Sequence, residues 1–128
     1  MTDNLDILKD VRQMLDKPEA WIKYHFCAHR TLDGTIIDIS IEHDKRANCF
    51  CLTGAIMIVI DKYSRKENPS LESCWKWIKA KKDFIRHITN YLGVLPDELG
   101  KWNDDQDRTH ADILDLLDSL INEAEATT

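Results

Sequence analysis

Positive charge, glycine, proline and long apolar runs are all scarce in this chain, and each shortage removes a class of function. Lysine and arginine total 17 against 23 aspartates and glutamates, a formal net charge of −6. The overall basic surface that nucleic-acid phosphates require is therefore missing. Four glycines and three prolines exclude a low-complexity chain, and there is no glycine-rich loop to cradle a phosphate. Paired-carboxylate signatures are absent too. The longest nearly uninterrupted apolar run, Asn48 to Asp61, has 14 residues, too few to span a bilayer. The first residues, MTDNLDILKDVRQML, are acidic and amphipathic, not basic and then apolar as in a signal peptide. These shortages predict a cytoplasmic protein with no membrane partner and no nucleic-acid partner. Cys27, Cys49, Cys51 and Cys74 should then stay reduced.

What is present suits a single globular domain over residues 1–128, long enough to bury roughly two thirds of its unfolded surface without metal or disulfide. Charge is uneven along it: residues 1–60 carry seven basic and nine acidic side chains, 61–96 eight and four, and 97–128 two and ten. The basic middle reads as a solvated helix face partly paired with the acidic end.

Leu5, Leu8, Val11 and Leu15 recur at helical period, which predicts a helix over 3–16, stopped before Pro18. From Trp21 the period changes to two, and Asp33-Gly34 supplies a turn before a second β-branched run to Ile41, so 21–41 reads as a small hairpin. His25, Cys27 and His29 would share one strand face, with Cys49 or His43 within reach. Same-face neighbours on a strand stand about 7 Å apart, too far for one ion without a bend, so no metal site and no cofactor is assigned.

The run NCFCLTGAIMIVID is read as a buried central helix, 48–62, with Asn48 as N-cap and Cys51 in the first turn, where the helix dipole lowers a thiol pKa. Ser70 caps a long helix closed by Gly93, with Leu71, Cys74, Trp75, Ile78, Ile85, Ile88 and Leu92 on its core face. Trp77, Phe84 and Tyr91 flank that face as an aromatic stripe, and Lys81 and Lys82 fall inside the apolar arc. Gly100 to Arg108 reads as a polar loop. Thr109 caps a last helix with Asp112 in the capping-box position. The fold class is α+β: about four helices around the central one, which lies between the long and C-terminal helices, with the hairpin across the apolar side of the first helix.

Two helix starts hold reactive types, Cys51 and His110, and Asn103 and Asp104 lie in the loop before the second. A cysteine nucleophile, a histidine base and an Asn or Asp orienter are the parts of a thiol hydrolase or acyl transferase. At these residues CFCLTGAI and KWNDDQDRTHADILDLLDSLI resemble an uncharacterised bacterial and phage family, domain of unknown function 6197. Its pattern is roughly Trp-Cys-x-x-Gly-Ala, then Trp-Asn-Asp, a short gap and Arg-Thr-His. The match falls on Cys51, Gly54, Ala55, Trp102, Asn103, Asp104, Arg108, Thr109 and His110, with Phe50 in place of the Trp and residues 64–95 poorly matched. The resemblance brings no activity with it. Two readings remain: a small acidic accessory protein that binds a protein partner through the surface near Trp102 and Arg108 or through the basic helix, and a Cys51–His110 enzyme acting on an amide, ester or thioester.

Overall fold

The computed structural model describes residues 4–39, 45–66 and 70–127. Thr2, His43 and the end of the expected second strand lie outside these residues.

Among the described residues there are five α-helices and one three-stranded sheet: α1 (Asn4–Met14), β1 (Cys27–Arg30), β2 (Ile36–Asp38), β3 (Cys49–Phe50), α2 (Leu52–Ser64), α3 (Leu71–Leu92), α4 (Leu99–Asp104) and α5 (His110–Ala126). This is the α+β class that the periodicities predict, with one more helix. The additional helix is α4, where the polar residues suggest a loop. A 3₁₀ turn, Pro96–Glu98, runs directly into it. The Glu98 carboxylate accepts from the Leu95 amide at 2.8 Å, and Leu99 is buried as an anchor. A single buried leucine and a buried asparagine carry no periodicity, so the pattern hides the helix.

Helix α2 is almost wholly apolar and takes the centre. It packs against α3, α1 and α4, with Leu52, Ala55, Ile56 and Ile60 at 0% exposure. The expected α3–α2–α5 sandwich is corrected: α1 packs on both α2 and α5, so the core runs through Leu8, Val11, Ile113, Leu117 and Leu120. The apolar side of α1 is accordingly covered by helices, and the sheet does not lie across it. Arg12 reinforces the seam, its Nε donating to Asp118 at 2.8 Å.

The sheet also differs from a simple hairpin. Its order is β2-β1-β3, and residues 21–26 are not a strand; Tyr24 even adopts a left-handed φ of 71°. The Asp33-Gly34 turn forms as predicted, with Gly34 at φ 90°. Cys49 and Phe50, expected in the first turn of the central helix, pair antiparallel with Ala28 and Cys27. Asn48 does not cap α2. Its side chain accepts from the Arg30 amide at 2.8 Å and donates to the Arg30 carbonyl at 3.0 Å, extending the ladder by one side-chain rung.

Helix α3 has the limits its caps predict: Ser70 accepts from the Ser73 amide, and Gly93 ends it at φ 75°. Its faces are rotated, however. Trp77, Phe84 and Ile88 are buried, whereas Leu71, Trp75 and Ile78 are 76%, 63% and 42% exposed. Both arcs are apolar, so the period alone does not choose between them. Lys81 lies on the inward arc and ends 2.5 Å from Asp61 of α2, which lets a lysine sit there with its charge paired.

Candidate functional site

Of the residues singled out as a candidate site, Cys51, Asn103 and Asp104 gather at the start of α2 and the segment pressed onto it, whereas Trp102, Arg108, Thr109 and His110 lie at the turn into α5. Cys51 itself is the N-cap. Its Sγ accepts from the Gly54 amide at 3.2 Å, and its own amide donates to the Phe26 carbonyl at 3.1 Å. That carbonyl explains Gly54: a Cβ there would lie 2.1 Å from the Phe26 oxygen, far inside van der Waals contact. Segment 21–26 is thus pressed directly onto the first turn of α2.

Asn103, 0% exposed, is the hub. Its Oδ1 accepts from Trp21 Nε1 at 2.8 Å and from the Leu52 amide at 3.0 Å. Its Nδ2 donates to the Ile22 carbonyl at 3.2 Å and to Asp104 Oδ1 at 3.0 Å. All four hydrogen-bonding positions of the amide are filled. Asp104 in turn accepts from the Tyr24 amide at 2.8 Å, which ties down the left-handed residue. Lys23 donates to the Asp105 carbonyl at 2.6 Å, so consecutive residues of 21–24 are bound from the α4 side.

The remaining candidates close the turn into α5. The Arg108 guanidinium lies 3.9 Å over the Trp102 ring, and its Nε donates to the Trp102 carbonyl at 2.9 Å. Trp102 and Arg108, expected on a partner-binding surface, are engaged with each other. Thr109 caps α5 with the reciprocal Asp112 bond, as predicted. His110 Nε2 donates to the Leu15 carbonyl at 2.6 Å, and its ring lies 6.4 Å from that of Trp21.

Cys51 and His110 are near the same segment but address different partners; no hydrogen bond joins them among the described residues. The expected dipole-activated thiolate is also reversed. Cys51 is 8% exposed, and burial, aided by the Asp104 charge, pushes its thiol up to about 11 against the opposing hydrogen bond from Gly54. Burial disfavours a thiolate here more than the helix start favours one, because little solvent is left around the residue to stabilise the charge. The amides at the start of α2 are taken as well: Leu52 by Asn103, Gly54 by Cys51 Sγ, and Ala55 by the Cys51 carbonyl at 2.9 Å. The helix end that could attract an anion is therefore capped from within.

Of the other thiols, Cys27 donates to the Ile39 carbonyl and Cys49 to the Ala28 carbonyl. His25 pairs with Asp38 at 2.7 Å, and His29 donates to the Arg46 carbonyl at 2.7 Å. Among the described residues no three His, Cys, Asp or Glu side chains converge as metal ligands, and no described helix is long and apolar enough to cross a membrane.

Sequence reasoning found the side chains of this clasp but not their partners. Those partners are main-chain carbonyls of Leu15, Ile22 and Phe26, which carry no signature in a side-chain pattern. Trp21 was legible only as one of a strand's alternating residues. No curated protein and no solved structure matches the chain. The model of a family described only as "Family of unknown function (DUF6197)" matches residues 1–123. Nearly the whole chain, clasp included, lies within that match, and the protein belongs to the DUF6197 family.

Proposed function

We propose that this chain is a non-catalytic, cytoplasmic binding protein that engages a protein partner through the open first half of α3. The observation that carries this reading is the row Leu71, Cys74, Trp75 and Ile78. These residues recur at i, i+3, i+4 and i+7 on one helix face and are all exposed, while a separate arc of the same helix, with Trp77, Phe84 and Ile88, supplies its packing. Large apolar side chains grouped on one face mark contact surfaces more often than isolated ones do. The clasp supports the same reading from the other side. A Cys–His enzyme needs a thiolate and an open approach to it, whereas Cys51 is buried, its thiol is pushed up to about 11, and its sulfur holds a helix cap.

The test is a photo-crosslinking residue placed at Trp75 in one version of the protein and at Ser119, on the outer face of α5, in another, each irradiated in the expressing cells. A discrete protein adduct from position 75 and none from 119 is expected. Identical patterns from both positions, or none from either, would reject the reading.

A further inference from the structure

We propose that the partner element received by α3 is an acidic amphipathic helix, which lays its apolar stripe on Leu71, Cys74, Trp75 and Ile78 and sets its carboxylates beside Lys79, Lys82 and Arg86. The inference rests on the binding reading above and adds the chemistry of the occupant.

Shape comes first. The exposed row spans two helical turns, about 10 Å, which matches the i, i+3, i+4, i+7 anchors of a helix laid in a groove. The surface is not flat: Cys74 and Ile78 also line a concavity of 420 Å³ between the end of α2 and the start of α3. The half-buried Lys81–Asp61 pair lies on its wall. A convex side chain from a partner helix fills such a hollow, whereas a bilayer surface does not follow it.

Charge then selects the helix. Lys79, Lys82 and Arg86 follow the row at i, i+3 and i+7; on a 100° helical wheel Lys82 continues the line of the row and Lys79 and Arg86 lie along one of its edges. Lys79 and Arg86 share one carboxylate, Asp83, at 3.4 and 3.9 Å, and both cations are well exposed at 80% and 62%. A single acid between them leaves this edge with surplus positive charge.

A second copy of this chain fits poorly through its own α3 row or through the outer face of α5. An α3 row would bring cations against cations. The outer face of α5 offers Asp115, Asp118 and Glu123, but its other exposed residues, Ala111, Ser119 and Asn122, provide no large apolar anchor. An anionic membrane is disfavoured by the net charge of −6 and by a row of only four residues. A foreign helix carrying both apolar anchors and acids satisfies both features of the surface.

The full chain is titrated with two fluorescent helical peptides that share leucines at i, i+3, i+4 and i+7 and differ only in glutamate or lysine flanks. Phosphatidylcholine vesicles containing about one-third phosphatidylserine are titrated in parallel. Micromolar binding of the glutamate peptide is expected, with the lysine peptide at least tenfold weaker. Trp75→Ala should lower the affinity at least tenfold, and Lys82→Glu with Arg86→Glu should do the same while reversing the preference between peptides. Circular dichroism confirms that each variant is folded; the two sets of substitutions touch different features, so either one tests the site.

Equal binding of both peptides, binding indifferent to Trp75→Ala, or no binding of the glutamate peptide overturns the inference. So does tighter binding to the vesicles that is lost in Trp75→Ala, which would make the surface a lipid site. A crosslink from position 75 to a partner without an acidic helix would leave the binding reading standing and remove this one.

Discussion

The clasp at the start of α2 and the open half of α3 treat their side chains in opposite ways. In the clasp, Asn103 fills all four of its hydrogen-bonding positions inside the protein, and the neighbouring Trp102 and Arg108 are spent on each other. On α3, large apolar groups face outward, with Trp75 63% exposed. Residues at the first place answer to the fold, since the partners of Asn103 would be stranded without it. Residues at the second place are more exposed than buried or line an open hollow between α2 and α3. The matched motif residues are thus bound into the fold by hydrogen bonds, while the exposed apolar row lies where the resemblance to the family was weakest.

Substitution separates the two regions by size of effect. Asn103→Ala should be the most damaging change, because it leaves Trp21 Nε1, the Leu52 amide and the Ile22 carbonyl without their partner; at about 1–3 kcal/mol for each buried unpaired group, with partial relaxation, a loss of about 4 kcal/mol is expected in urea unfolding. Asn103→Asp should not rescue it, since a carboxylate cannot donate to Ile22 or Asp104. A loss below about 1 kcal/mol would show that the hub does not hold the clasp.

Gly54→Ala comes next. The added Cβ meets the Phe26 carbonyl, and about 3 kcal/mol of overpacking, less about 1 kcal/mol of gained helix propensity, gives an expected net cost of about 2 kcal/mol. A stabilised variant would mean that segment 21–26 can lift off α2 freely.

The Cys51 thiol makes the clasp sensitive to alkali. Its pKa is raised from 9.0 to about 11 by folding, so the folded state holds the proton more tightly than the unfolded chain does. The stabilisation is fully present below pH about 9 and is lost as pH rises toward about 11, an expected fall of about 2–3 kcal/mol. Tyr63, hydrogen-bonded to Asp10, is raised from 10.0 to about 12 and adds a fall in the same sense at the upper end of that range. Cys51→Ser keeps a capping oxygen and should remove the lower part of the slope; an unchanged slope from pH 9 to 10 would exclude the thiol as its source. Iodoacetamide at neutral pH should label exposed Cys74 and reach Cys51 only after denaturant is added.

The smallest effect belongs to α3. Trp75→Ala should change stability by no more than about 0.5 kcal/mol, as expected of a surface position without internal partners. A loss above about 1.5 kcal/mol would place Trp75 in the core and dissolve the contrast between the two regions.

Much of the fold was legible where local chemistry acts alone. The limits of α3 follow from Ser70 and Gly93, and the start of α5 from Thr109 with Asp112, because a cap needs only residues three or four apart. The Asp33-Gly34 turn is local in the same way. Legibility failed where two answers were locally equal. The run from Asn48 suited a helix throughout, yet Cys49 and Phe50 joined the sheet once β1 offered them partners. Both arcs of α3 were apolar, and packing against α2, with Asp61 ready to pair with Lys81, placed Trp77 and Phe84 inside.

The sequence by itself thus determined the α+β class and most helix ends, since these rest on periodicity, caps and composition. Tertiary structure alone decided which apolar arc of α3 was left open, that the Cys51 sulfur would cap α2, and what Asn103 would hold. Those outcomes depend on distant main-chain carbonyls and on exclusion of water, and neither exists until the chain has closed on itself.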